Sequence, residues 1–399
     1  MSDPCGGGNG NRRTFLKATA ATGATLVSAD VLRAQGAEGP VPLVTLGKTG
    51  RKVPKLGMGT SWDLAPSFVQ AALFSGVTYI DTSESYENGN AEKVLGEVIE
   101  RTKKRKDLYL VSKCQKYKKG GEKYDGTVFA AQLEGTLQRL RTDYLDAYYI
   151  HGLEGKNIDI LKDPAVKAVF EKFKKEGKIK FCGLSCHDKM LPEILALASE
   201  VGWLDQVMFQ YNFRFVDHDA LQRSIDKAKK ANLGLVAMKT QKGAAESHPE
   251  KVDAFTAKGF KKEVAAIKTV WLDDRINVVV SEMTNFTELK ENVAASKEPL
   301  TPKEARLLEE YRVKTSNLYC HGCGHLCETA AKGVPVATVL RYLRYYDAYG
   351  KREQARALYQ ALPAEARVLA ESNLKGAQDA CPHGLPVVQL VNKADRLLS

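Results

Sequence analysis

Long apolar runs are missing from this chain. No segment reaches the ~18–20 consecutive apolar residues that a membrane-spanning helix requires, so no stable membrane span is expected in the mature chain. Cysteine is scarce through most of the length: four of the eight cysteines fall in the last eighty residues. A disulfide-built scaffold is therefore excluded. Cys182 and Cys186, four apart on an apparent strand, lie on one face about 13 Å apart, too far to bridge. Cys114 reads as a small packed residue. A glycine-rich G-x-G-x-x-G turn after the first strand is also missing. Only Gly57-Met58-Gly59 appears, which argues against a doubly wound dinucleotide-binding sheet. The net charge of +11 comes without a basic groove interleaved with aromatics. The lysines are scattered among carboxylates as on a solvated surface, and no nucleic-acid partner is expected.

What is present begins with an export signal. Arg12 and Arg13, followed by Phe15, Leu16 and Lys17, precede a weakly apolar Ala/Thr-rich stretch and small residues near position 34. A basic start, a short apolar run and a small-residue cleavage site make a signal peptide, assigned to residues 1–36. The paired arginines resemble a twin-arginine signal. That implies the twin-arginine translocase as a partner and a periplasmic or otherwise extracytoplasmic location.

After the signal, residues 41–56 read as a hairpin with Lys48-Thr49-Gly50-Arg51 at its turn. Apolar strand-like runs then recur at Leu56, Thr78, Leu108, Leu145, Phe181, Gln206, Gly234 and Asn277, with amphipathic helical stretches between them. Eight β-α alternations predict a closed parallel (β/α)8 barrel over residues 41–298. From residue 299 the pattern becomes purely helical. It opens on Thr301, Pro302 and Glu304, an N-cap, a first-turn proline and a capping-box acid. Residues 299–399 are assigned to a small all-helical, cysteine-bearing module.

Four side chains sit at or just past strand C-termini, where groups from distant segments of a parallel barrel converge. They are Asp81, Tyr86, Lys113 and His151. A phenol is a poor acid near neutrality, with a pKa of about 10. A nearby ammonium is expected to lower that value, and a carboxylate bonded to the lysine to keep it charged and oriented. The set reads as a proton-donating site.

The stretch from Gly76 through Asp81, Tyr86 and Gly89 to Glu92, with Lys113 and His151, resembles the signature of the aldo-keto reductases, and the resemblance covers about residues 43–298. It implies nicotinamide-dependent interconversion of an aldehyde or ketone and an alcohol, with Tyr86 as general acid. Asp81 and Lys113 tune that phenol, and His151 orients the substrate oxygen or assists proton transfer. It further implies cofactor contacts at Thr60, Asp81, Ser185, Gln210, Met238, Lys239, Thr284 and Asn292. Ser185-Cys186 stands where the family commonly has Ser-Asn, and Met238 where many members stack an aromatic residue. Glu282 and Glu288 fall where NADP-preferring members carry cations. Carboxylates there would repel a 2′-phosphate, so NAD(H) is expected over NADP(H).

The late cysteines resemble pieces of bacterial ferredoxin motifs. Cys320, Cys323 and Cys327 sit on one loop, and Cys381 precedes a proline, giving one 4Fe-4S cluster's worth of ligands. The spacing is C-x₂-C-x₃-C rather than C-x₂-C-x₂-C. Zinc on the same thiolates, or a decayed or disulfide-bonded remnant without metal, are the alternatives. A cluster would admit a redox partner, and the competing function is an exported iron-sulfur electron-transfer or binding protein on a retired barrel.

Overall fold

The computed structural model describes residues 41–115, 124–241, 249–367 and 370–399. The signal reading, with Cys5, therefore lies outside the described residues. A short antiparallel hairpin, β1 (Leu43–Thr45) and β2 (Lys52–Pro54), comes first. Eight parallel strands follow: β3 (Leu56–Gly59), β4 (Tyr79–Asp81), β5 (Tyr109–Cys114), β6 (Leu145–Ile150), β7 (Ile179–Cys186), β8 (Gln206–Gln210), β9 (Gly234–Met238) and β10 (Val278–Ser281). They pair in sequence order, and β10 returns to β3 to close the barrel as predicted. The helices of the barrel are α1 (Pro66–Phe74), α2 (Asn90–Thr102), α3 (Gly126–Leu140), α4 (Pro164–Lys175), α5 (Leu191–Glu200), α6 (Asp219–Lys230), α7 (Pro249–Thr256), α8 (Lys262–Val270) and α9 (Phe286–Ala295).

The strands read as nearly unbroken apolar runs because a parallel barrel buries both of their faces. Outward residues such as Leu110, Tyr148 and Leu184 pack against the helices, while Tyr79, Tyr109, Tyr149, Met208 and Val236 fill the interior. Tyrosine inside a barrel needs a partner for its hydroxyl. Tyr79 and Tyr149 share a hydrogen bond of 3.2 Å, and Gln206 donates to Tyr109 at 2.8 Å. Leu46 and Val53 of the hairpin join this interior cluster and plug the barrel floor. Functional groups are thereby confined to the opposite end. Among the described residues no helix is long and apolar enough to cross a membrane.

Beyond the barrel lie α10 (Pro302–Lys314), α11 (Gly324–Ala330), α12 (Val336–Asp347), α13 (Arg352–Gln360), α14 (Glu371–Asp379) and α15 (Val387–Leu398). Thr301 and Glu304 form the expected capping box at the start of α10. The composition changes at residue 299, but the packing changes later. Leu307, Leu308 and Tyr311 of α10 share a cluster with Phe213, Phe255 and Phe260 of the barrel's outer helices and loops. The separate core of the module, with Val339, Leu343, Tyr359, Leu374 and Val391, is built from α11 to α15. The α12–α13 reversal carries Gly350 at φ 67°, a left-handed position that suits glycine.

Gly183 on β7 shows how tightly the interior is filled. A Cβ there would stand 2.5 Å from the Gln206 carbonyl oxygen and 2.8 Å from the Tyr149 ring. Gly183→Ala should therefore destabilise the protein by about 1–3 kcal/mol through overpacking. The measurement is a lower urea midpoint at unchanged m value. An unchanged midpoint would show that β7 and β8 have slack this packing denies.

Candidate active site

Asp81 ends β4 and Lys113 lies one residue before the end of β5. In the register Asp81 faces Val111, so Lys113 stands two residues further along on the same side. Its ammonium reaches across to Asp81, lying 2.7 and 2.8 Å from the two carboxylate oxygens. It also donates to the Thr82 carbonyl at 2.8 Å and to the Tyr86 hydroxyl at 3.1 Å. Tyr86 opens a short 3-10 turn whose next two residues, Glu87 and Asn88, have positive φ. His151 follows β6. Its ring meets Tyr86 edge-on at 5.7 Å, and its Nδ1 is fixed by Ser83 Oγ at 3.0 Å. The four sequence-predicted catalytic residues are thus brought together.

The electrostatics depart from expectation at one point. Burial lowers the Lys113 pKa and raises that of Asp81, and the charge of each pulls the other back. Tyr86, expected to be lowered by its lysine, is instead raised well above the ordinary phenol value. Burial is the largest cause, followed by the negative charges of Asp81 and Glu282 and by Tyr345. The physical reason is that Asp81 neutralises most of the ammonium's field while the desolvation of a phenolate remains. Tyr86 therefore holds its proton. Burial, then the cations of Lys113 and Lys239, keep His151 well below its ordinary pKa.

These side chains line a cavity of about 380 Å³. It also reaches Thr60, Ser185, Met238 and Lys239, so these four and Asp81, of the residues implied for cofactor contact, border it. Ser185 Oγ accepts from the Gly152 amide at 2.9 Å. Gln210 is turned elsewhere: it borders a second, smaller hollow and donates to the Tyr319 hydroxyl at 3.0 Å. Asn292 stands behind the wall, donating to Ser281 Oγ at 3.0 Å and accepting from Gln241 at 2.9 Å. Thr284 is tied to the Glu288 carboxylate through its amide and hydroxyl. Glu282 accepts from Ser61 Oγ at 2.7 Å.

The cavity has a roof that the sequence pattern does not reveal. Arg341, Tyr345, Tyr349 and Lys351, from α12 and the turn after it, complete the lining. Lys239 donates to Tyr345 Oη at 3.0 Å, and Lys351 to the Ser61 carbonyl at 2.5 Å. Arg341 bonds His187 Nδ1 at 3.1 Å and pairs with Glu154 at 3.7 Å. In the sequence these residues look like the solvated face of an amphipathic helix.

The cysteines converge without forming a ligand set. Cys320, Cys327 and Cys381 belong to one packed cluster. Burial, reinforced by the neighbouring sulfurs, raises the pKa of Cys323 to about 11 and that of Cys327 to about 12. Among the described residues, no group of three or more His, Cys, Asp or Glu side chains is arranged to hold a metal ion. None of the described cysteines is disulfide-bonded.

A closed (β/α)8 barrel carrying Tyr, Lys, Asp and His at the mouth defines an oxidoreductase-like class of site. Residues 55–312 match the Aldo/keto reductase family, and the chain belongs to it. L-galactose dehydrogenase of Arabidopsis thaliana is 26% identical over 283 residues, covering 64% of this chain and 88% of that protein. The methylglyoxal reductase YeaE of Escherichia coli is 33% identical over 180 residues, covering 42% of this chain and 59% of the relative. A holo aldo-keto reductase from Bacillus halodurans shares the fold with a TM-score of 0.53 at 19% identity, covering 68% of this chain and 96% of that one. The Klebsiella pneumoniae enzyme in complex with NADP and acetate gives 0.52 at 23% identity, covering 68% and 95%.

His151 and His187 are both part-buried at the cavity wall, and both are held well below the ordinary histidine pKa, His187 first by desolvation and then by Lys239 and Arg341. The unfolded chain takes up these protons near pH ~6.5 while the folded chain does not. Stability should therefore be intact above that pH and fall as pH drops below it, by up to about 1.4 kcal/mol per pH unit for each histidine. Urea unfolding across pH 7 to 5 measures this. A flat stability over that range would place both imidazoles in contact with water.

Proposed function

We propose that this protein interconverts a carbonyl compound and its alcohol by hydride transfer with a nicotinamide dinucleotide. The observation that carries the reading is the Tyr86 hydroxyl at 3.1 Å from a lysine that is itself clamped by Asp81, in a cavity shared with His151. The nucleotide supplies the hydride when bound, because none of these side chains can. Thr60, Ser185, Met238 and Lys239 are the residues that would hold its reactive end. Tyr86 keeps its proton until a carbonyl oxygen gains negative charge, then donates it. Lys113 balances the phenolate left behind. Neutral His151 orients the same oxygen by hydrogen bonding.

The names of the relatives, a sugar dehydrogenase and a reductase of a small dicarbonyl, fit a small polar substrate. Glu282 faces the same cavity, and its charge supports NAD(H) over NADP(H). Tyr86→Phe should lower turnover by about 10²–10⁴-fold while leaving nucleotide binding in place, with NADH tighter than NADPH in paired fluorescence titrations. Failure of both nucleotides to bind at millimolar concentration would sink the reading.

A second reading concerns the cysteine module. It is supported by the packing of Cys320, Cys327 and Cys381 in one cluster, with Cys323 between the first two in sequence, since a 4Fe-4S cluster would suit an all-thiolate set. Such a cluster would be assembled before export of the folded chain, in keeping with a twin-arginine signal. A redox partner outside the cytoplasm belongs to this reading. Anaerobically purified protein should contain about four iron and four acid-labile sulfide per chain. Stoichiometric zinc would replace the cluster with a structural metal, and neither element would leave a thiol remnant.

A further inference from the structure

Lys351 comes from the turn between α12 and α13, yet its ammonium is bonded to the rim of the barrel. It donates to the Ser61 carbonyl just after β3, at 2.5 Å, and lies 3.6 Å from the Glu282 carboxylate just after β10. Ser61 Oγ closes the triangle by donating to Glu282 at 2.7 Å. The turn that carries Lys351 is itself tied down. The Lys351 amide donates to the Tyr345 carbonyl at 2.9 Å, and Asp347 pairs with Lys393 of α15 at 2.7 Å.

Other bonds carry this fastening round the rim. Lys239 after β9 bonds Tyr345 at 3.0 Å, and Gln210 at the end of β8 bonds Tyr319 at 3.0 Å. Arg341 bonds His187 after β7 at 3.1 Å and pairs with Glu154 after β6 at 3.7 Å. The strands stand round the barrel in the order β6, β7, β8, β9, β10, β3. The roof is thus held along one unbroken arc. Thr60, Ser185, Met238 and Lys239, the residues that would hold the reactive end of a nucleotide, lie within that arc. A nucleotide whose reactive end stands beside Tyr86 occupies the cavity that these bonds close over. To leave, it has to part several of them together, and a closed lid of this kind slows exchange.

We propose that the C-terminal module straps the nucleotide into the barrel through successive turnovers, so that the protein passes hydride from an alcohol to a second carbonyl compound without drawing on free nucleotide. This rests on the hydride reading above. A carbonyl compound gains a hydride at carbon and the Tyr86 proton at oxygen, and leaves as an alcohol. A different alcohol then gives a hydride back from carbon and its hydroxyl proton to the Tyr86 phenolate, and leaves as a carbonyl. One substrate is reduced by two electrons and the other oxidised by two. Tyr86 and the retained nucleotide end as they began, and no further co-reactant enters. Lys351 and Tyr345 act here as fastenings of the roof, with no contact to the reacting atoms required of either.

The test is retention. The full chain, saturated with radiolabelled NADH and desalted, should keep an equimolar amount of label and lose it only slowly to an unlabelled chase. Lys351→Met combined with Tyr345→Phe removes the charged bonds to the rim at β3, β9 and β10, and should release the label on the order of 10-fold faster. Thermal unfolding reports that the variant has folded. The desalted wild type, given carbon-deuterated glycerol and methylglyoxal with no nucleotide added, should place deuterium on carbon in the reduced product. Excess free unlabelled NADH should not dilute that deuterium. Label lost on the column despite binding at equilibrium overturns the strap and leaves the hydride reading standing. So does a folded double variant that releases label as slowly as wild type. Retention with no deuterium in the product overturns the transfer between substrates. Failure to bind NADH or NADPH at all, even at millimolar concentration, rejects the hydride reading itself.

Discussion

The side chain of Lys113 is 1% exposed, and its ammonium cannot be left without partners at that depth. An ammonium has three donors and no acceptor. Asp81, the Thr82 carbonyl and the Tyr86 hydroxyl meet all three. Two of these acceptors are fixed by β4 and the residue after it, and the phenol is the one that arrives on a turn. The position of Tyr86 is thus determined by the hydrogen-bond needs of a buried lysine. Those needs follow from the pairing of β4 with β5. The barrel's closure, its floor plug and its interior tyrosines all serve to keep that register.

The same charge governs its neighbours by distance and screening. Paired with Asp81, Lys113 does little to acidify Tyr86, yet it still acts on His151, together with Lys239. Burial removes water, the usual stabiliser of all these ions, so each protonation state is decided by the nearest fixed charge. A phenol that keeps its proton and an imidazole that stays neutral are the result. Both suit a site that delivers a proton only after charge develops on a bound oxygen.

Much of this is legible in the amino-acid sequence. Parallel strands buried on both faces give continuous apolar runs, and the tetrad falls at their ends, so the barrel and the four side chains at its mouth can both be placed. Three things are hidden. The sign of the Tyr86 shift depends on burial, which residue identity does not reveal. The edge of the C-terminal module is a packing boundary, and α10 carries helix chemistry like the module while burying Tyr311 among barrel phenylalanines. The roof residues are hidden by their own polarity. Arg341 and Tyr345 on an amphipathic helix look solvated until the helix is seen lying over the mouth. Gln210 shows the converse. Its position points to the cofactor, but the Tyr319 hydroxyl brought in by the module takes its amide.

The module also ties the cysteines to the cavity through one arginine. Arg344 on α12 donates to the Cys320 carbonyl at 2.9 Å and stacks on the Tyr319 ring at 3.9 Å. The next residue on the helix is Tyr345, bonded to Lys239 at the end of β9. The loop bearing Cys320 and Cys323 and the wall of the cavity are therefore neighbours through a single helical turn. A helical module appended in sequence is thus, in space, one wall of the site.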